Sequence, residues 1–133
     1  MRMAITITKQ AEEYFEALAK ALEIPPARYE QAEKSYKSLG DWLHREESSV
    51  KDYEPDVFVQ GSFRLGTVIK PISDGEQYDV DCACSLAKLT KANFSQAGLK
   101  DLLGEEIKAY RKSKGIQKEV HEGRRCWRLE YAD

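Results

Sequence analysis

No apolar run in this chain approaches the ~20 residues that span a bilayer, so no membrane-crossing helix is expected. The start, Met1-Arg2-Met3-Ala4-Ile5-Thr6, lacks the apolar core and small-residue cleavage pattern of a secretory signal, and the expected location is cytoplasmic. Cysteine is scarce. Cys82, Cys84 and Cys126 are odd in number and form no C-x-x-C pair, which argues against a disulfide framework or a zinc site and predicts small buried thiols. The two histidines, His44 and His121, have no ligand-spaced partner and are expected in surface or capping roles. No sign of charge dominates: 21 Lys and Arg against 23 Asp and Glu leave a net charge of −2, so no global basic field draws the chain to nucleic acid. There is no internal repeat, low-complexity tract or interdomain linker.

What is present reads as one soluble globular domain over residues 1–133 with a modest core, 33% charged and 41% apolar. Apolar residues at Ala11, Phe15, Leu18 and Leu22 predict a helix from Thr8 to Glu23, with Thr8 as N-cap and Pro25-Pro26 as its stop. A second helix is expected from near Pro26 to about Glu47, with Tyr29, Ala32, Tyr36, Leu39 and Leu43 as its stripe. Val57-Phe58-Val59 reads as a short buried strand. Phe63 to Ile69 suits a helical turn followed by an extended run, and Pro71-Ile72-Ser73-Asp74-Gly75 is a loop. Gln77 to Leu86 alternates as a strand, with Asp79, Asp81, Ala83 and Ser85 on one face. Ser95 to about Lys112 is helical again, and 116–121 with 125–131 suggests a hairpin turning at Glu122-Gly123. The expected class is α+β with a mixed or antiparallel sheet.

Two motifs carry chemistry. Asp79 and Asp81, two apart on an extended segment, project from one face with Cα atoms about 6.6–6.8 Å apart. Carboxylates that close repel unless a cation lies between them or one is protonated. Oxygen ligands of this kind select Mg²⁺ or Mn²⁺ over zinc. The bland alternative is a solvent-facing strand with two acids, but Asp is disfavoured in strands. Gly61-Ser62, placed after the Val57-Phe58-Val59 run, lets backbone N–H groups approach a phosphate and adds a hydroxyl donor. Glu46-Glu47 and Glu105-Glu106 read as solvated helix faces. The basic stretch Arg111-Lys112-Ser113-Lys114 with Lys118, Arg124, Arg125 and Arg128 is interleaved with acids and reads as solvated surface more than as a track for phosphate or an RNA activator.

Gln60-Gly61-Ser62-Phe63-Arg64-Leu65-Gly66-Thr67, Pro71 and Tyr78-Asp79-Val80-Asp81 resemble the polymerase-β-like nucleotidyltransferases, and more narrowly the bacterial cGAS-like cyclic-oligonucleotide synthases. The resemblance implies a palm core with N-terminal helices. It implies an enzyme that joins nucleoside triphosphates into cyclic messengers in anti-phage defence. It assigns Asp79 and Asp81 as catalytic metal ligands for Mg²⁺ or Mn²⁺, and Gln60, Gly61 and Ser62 to the donor triphosphate. Arg64 and Lys70 lie within reach of phosphate, although exposed basic residues are more often solvated. Partners implied are nucleoside triphosphates, a downstream effector or activator protein, and the remainder of a longer synthase chain. The family's third catalytic acid and helical second domain have no counterpart within 1–133, Glu130 and Asp133 being weak substitutes, so an N-terminal part of the catalytic domain is expected. Alternatives are an AMP-transferring antitoxin, a terminal RNA nucleotidyltransferase, or a non-enzymatic nucleotide-binding module.

Overall fold

A computed structural model describes residues 6–73 and 75–132; Met1–Ile5, the loop residue Asp74 and the substitute acid Asp133 lie outside the described residues. Helix α1 spans Lys9–Leu22, and the Thr8 hydroxyl accepts from the Ala11 N–H at 3.2 Å, as its N-cap position predicts. Helix α2 spans Pro26–His44, with proline where no helical donor is lost. It ends sooner than its periodicity suggests. Arg45 turns extended, and its guanidinium donates to the Trp42 carbonyl at 2.8 Å and to Glu106 at 2.6 Å.

Strand β1, Pro55–Val59, pairs antiparallel with β2, Cys82–Leu86, in a register from Pro55 opposite Leu86 to Val59 opposite Cys82. The expected strand from Gln77 is therefore shorter than its alternation implied. Past Val59 only Gln60 remains to continue the ladder, donating to the Asp81 carbonyl at 2.6 Å before the chain turns into the short helix α3, Gly61–Leu65. Residues 77–81 carry no regular secondary structure and add no further rungs.

Helix α4, Gln96–Lys114, is capped by the Ser95 hydroxyl and closed by Gly115. The expected hairpin survives as two-residue strands, β3 at His121–Glu122 and β4 at Trp127–Arg128. Its first half is consumed in closing α4: Ile116 donates to the Arg111 carbonyl, and the Arg111 guanidinium binds the carbonyls of Gln117 and Lys118. The turn falls at 123–126, where the Gly123 N–H meets the Cys126 carbonyl at 2.9 Å, one step beyond the expected position. The class is α+β, with two separate antiparallel pairs among the described residues and no parallel strand.

The core lies between the second half of α2, residues 45–55 and α4: Ala32, Leu43, Val50, Pro55, Ile107 and Tyr110 are buried. Glu106 corrects the expectation of a solvated acid. It is 5% exposed, and its carboxylate accepts from Arg45, Trp42 Nε1, and the Ser49 N–H and hydroxyl. Burial pushes this carboxyl up, but the Arg45 and Ser49 donors outweigh burial and hold it below the usual range. The cysteines correct a second expectation, since Cys82 and Cys126 are exposed and Cys84 is half-buried. Helix α1 buries none of its residues and leaves Tyr14, Phe15 and Leu18 in solvent. The accessible surface is 10391 Å². A compact monomer of 15.2 kDa has about 7,100 Å².

Candidate active site

The end of the β1–β2 ladder brings the two sequence motifs together. Gln60 is extended, and Gly61 then takes a φ of +62°, which swings the chain from strand into α3. At that bend the Asp81 side chain lies against the glycine. An ideal Cβ on Gly61 would stand 2.6 Å from Asp81 Oδ2 and 3.4 Å from its Cγ, so a side chain there would be strained by the positive φ and would push the aspartate aside. The motifs are distant in sequence, yet the last rung and this contact make them one surface. Gly66, also at positive φ, closes α3 by donating to the Ser62 carbonyl.

Asp79 lies two residues before Asp81 in the segment leading into β2, and both are exposed. Neither carboxylate has a hydrogen-bond or ion-pair partner among the described residues. Burial pushes the neighbouring Cys82 thiol up, and the Asp81 charge adds to that shift. Ser62 and Gln60 are half-buried on the same bend. The donor chemistry fits a hard divalent cation: two free carboxylates are what Mg²⁺ takes from protein when phosphate and water complete its shell. Among the described residues no group of three or more His, Cys, Asp or Glu is gathered to hold a metal.

The remaining acids and bases are placed differently. Glu130 is held by Lys118 at 2.6 Å with His121 Nε2 at 3.7 Å, and the Lys118 hydrogen bond and charge lower its carboxyl. Arg64 and Lys70 are exposed, and the Lys70 N–H ties the 66–77 loop to the Leu22 carbonyl at the end of α1.

Two neighbours of the site had no signal in the sequence. The Arg28 guanidinium lies over the Tyr78 ring, 5.2 Å from its centroid. Tyr29 meets Phe63 edge to face, with centroids 5.5 Å apart. Tyr29 read as part of the α2 stripe, and nothing distinguished Arg28 from other surface cations.

A Gly-Ser bend set against an Asp-x-Asp segment is the local arrangement that the resemblance to nucleotidyltransferases implies. Residues 55–133 match the family described as cyclic GMP-AMP synthase DncV-like, nucleotidyltransferase domain, and the chain belongs to that family. It is also similar to a c-di-GMP synthase from Roseivirga ehrenbergii, 25% identical over 122 residues, a match covering 92% of this chain and 31% of that protein. The chain thus spans about a third of the length of the curated relative it matches. No solved structure matches it. None of the described helices is long and apolar enough to cross a membrane.

Proposed function

We propose that this chain carries the nucleotide-joining centre of a cyclic-oligonucleotide synthase. The observation that carries the reading is the seat of Asp81 against Gly61, which puts a carboxylate beside the backbone of the Gly-Ser bend. Gly61 and Ser62 bind and orient the triphosphate of a donor nucleotide, with Gln60 setting the entry to the bend. Asp79 and Asp81 hold Mg²⁺ or Mn²⁺. Such a cation, when bound, neutralises triphosphate charge and favours the deprotonated form of an attacking hydroxyl. The ribose hydroxyl of a second nucleotide then displaces pyrophosphate from the donor α-phosphate. In a longer chain the same step, repeated, closes a ring. A cytoplasmic messenger acting on an effector in anti-phage defence is the setting that the family resemblance supports.

The test is incubation with four α-labelled nucleoside triphosphates and Mg²⁺ or Mn²⁺, scored for phosphatase-resistant product. Asp79→Ala/Asp81→Ala is the paired control. Product that vanishes in the double variant upholds the proposal. Product that persists there removes the aspartates from the chemistry. Metal-dependent nucleotide binding without product, lost in the variant, indicates that the cradle works while chemistry needs residues beyond these 133, consistent with the engagement of Glu130 by Lys118.

A further inference from the structure

Beyond the last rung at Gln60 and Asp81, the Gly-Ser bend and the Asp-x-Asp segment are joined by the mostly exposed 66–77 loop. Asp79 lies past that rung, and no side chain among the described residues bonds its carboxylate. The first turn of α2 crosses this gap. Consecutive residues reach the two halves: Arg28 covers Tyr78, the residue before Asp79, and Tyr29 packs on Phe63, the residue after Ser62. That turn is stiff. Pro25 and Pro26 fix its entry, and the Arg28 N–H closes it on the Pro25 carbonyl at 2.9 Å. Farther along, buried Ala32 and Leu43 anchor α2, and Gly40 approaches Val57 of β1.

We infer that Arg28 and Tyr29 are positioning residues, through which the first turn of α2 sets the spacing between the phosphate bend and the two aspartates. Arg28 acts on Asp79 through Tyr78, and Tyr29 acts on Ser62 through Phe63. The inference rests on the reading of this site given above. The flat guanidinium is what the Tyr78 face requires, and lysine keeps the charge without that stack. Arg28→Lys, which keeps the charge and loses the stack, therefore separates positioning from charge.

The experiment uses the whole 133-residue chain, with Mn²⁺ as the probe. Metal affinity is read from line broadening of the backbone amide signals of 79–81, and hydrogen exchange of the same amides is read without metal. Arg28→Ala and Arg28→Lys are each expected to weaken Mn²⁺ binding about tenfold, the scale of lost outer-shell support, and to speed exchange at 79–81. Tyr29→Ala is expected to shift the Gly61 and Ser62 signals, and Tyr29→Phe to restore them. Arg28→Lys matching the parent in both Mn²⁺ affinity and exchange would overturn the inference. If the parent chain binds no Mn²⁺, the functional reading of the aspartates fails. The exchange rates still decide the clamp: faster exchange in both Arg28 variants upholds it, and unchanged rates refute it.

Discussion

Asp81 Oδ2 occupies the place that the first side-chain atom at position 61 would need, 2.6 Å from an ideal Cβ on Gly61. Gly66, five residues on, has a similar positive φ but open space around its missing Cβ. Comparing the two glycines separates backbone cost from close approach. Gly66→Ala should cost about 1–2 kcal/mol for the left-handed conformation and leave nucleotide binding in place. Gly61→Ala should cost more in a urea titration and abolish metal-dependent nucleotide binding, since the aspartate must move. Equal loss in both variants would show that the Asp81 contact is slack.

Gly104 poses the reverse problem. It lies inside α4, where alanine would ordinarily gain about 1 kcal/mol. Its missing Cβ leaves room for the Trp127 indole, which a Cβ there would overlap, and whose N–H donates to the Lys100 carbonyl at 3.0 Å. Gly104→Ala should therefore destabilise by about 1–3 kcal/mol, as overpacking does, and expel Trp127. Red-shifted tryptophan emission with a lower urea midpoint is the expected result.

Glu106 makes stability depend on acid. Its folded carboxyl titrates below the ordinary value, so its contribution is complete above the unfolded pKa of about 4.3 and disappears as pH falls through the lower folded value. Glu106→Gln should flatten that part of the pH–stability profile. At pH 7 it should cost about 3 kcal/mol, the low end for a broken buried pair because Arg45 keeps some solvent. Replacing both partners, as Glu106→Leu/Arg45→Met, should recover part of the loss.

Cys84 should be nearly inert in the folded protein. Burial, with the Asp56 charge nearby, pushes its thiol up to about 11. At pH 8 only about one molecule in a thousand then carries the reactive thiolate. Iodoacetamide followed by peptide mass mapping should find the exposed Cys126 labelled while Cys84 waits for urea. Matching rates would mean that β2 opens freely.

These contrasts separate what the sequence makes visible from what it conceals. Thr8 is legible as a cap because capping is local: the oxygen and its donor are three residues apart. The Gly-Ser bend and the Asp pair are legible because each needs a particular residue type. Glu106 is not, since Glu105-Glu106 reads as a wet helix face until Arg45 and Ser49 arrive from far along the chain. The length of β2 is equally hidden, because it is set by where Gly61 turns its partner away. Arg28 escaped for the same reason, its target being a tyrosine 50 positions on.

The bare helix α1 and the 10391 Å² surface have a thermodynamic consequence. Denaturant slope and unfolding heat capacity both scale with the area that becomes newly wet, and here much apolar area is wet already. The isolated chain should unfold with a shallower slope and a smaller heat-capacity step than its length alone would set, giving a broad melt and a flat stability curve. Anything that covers Tyr14, Phe15 and Leu18 should sharpen both.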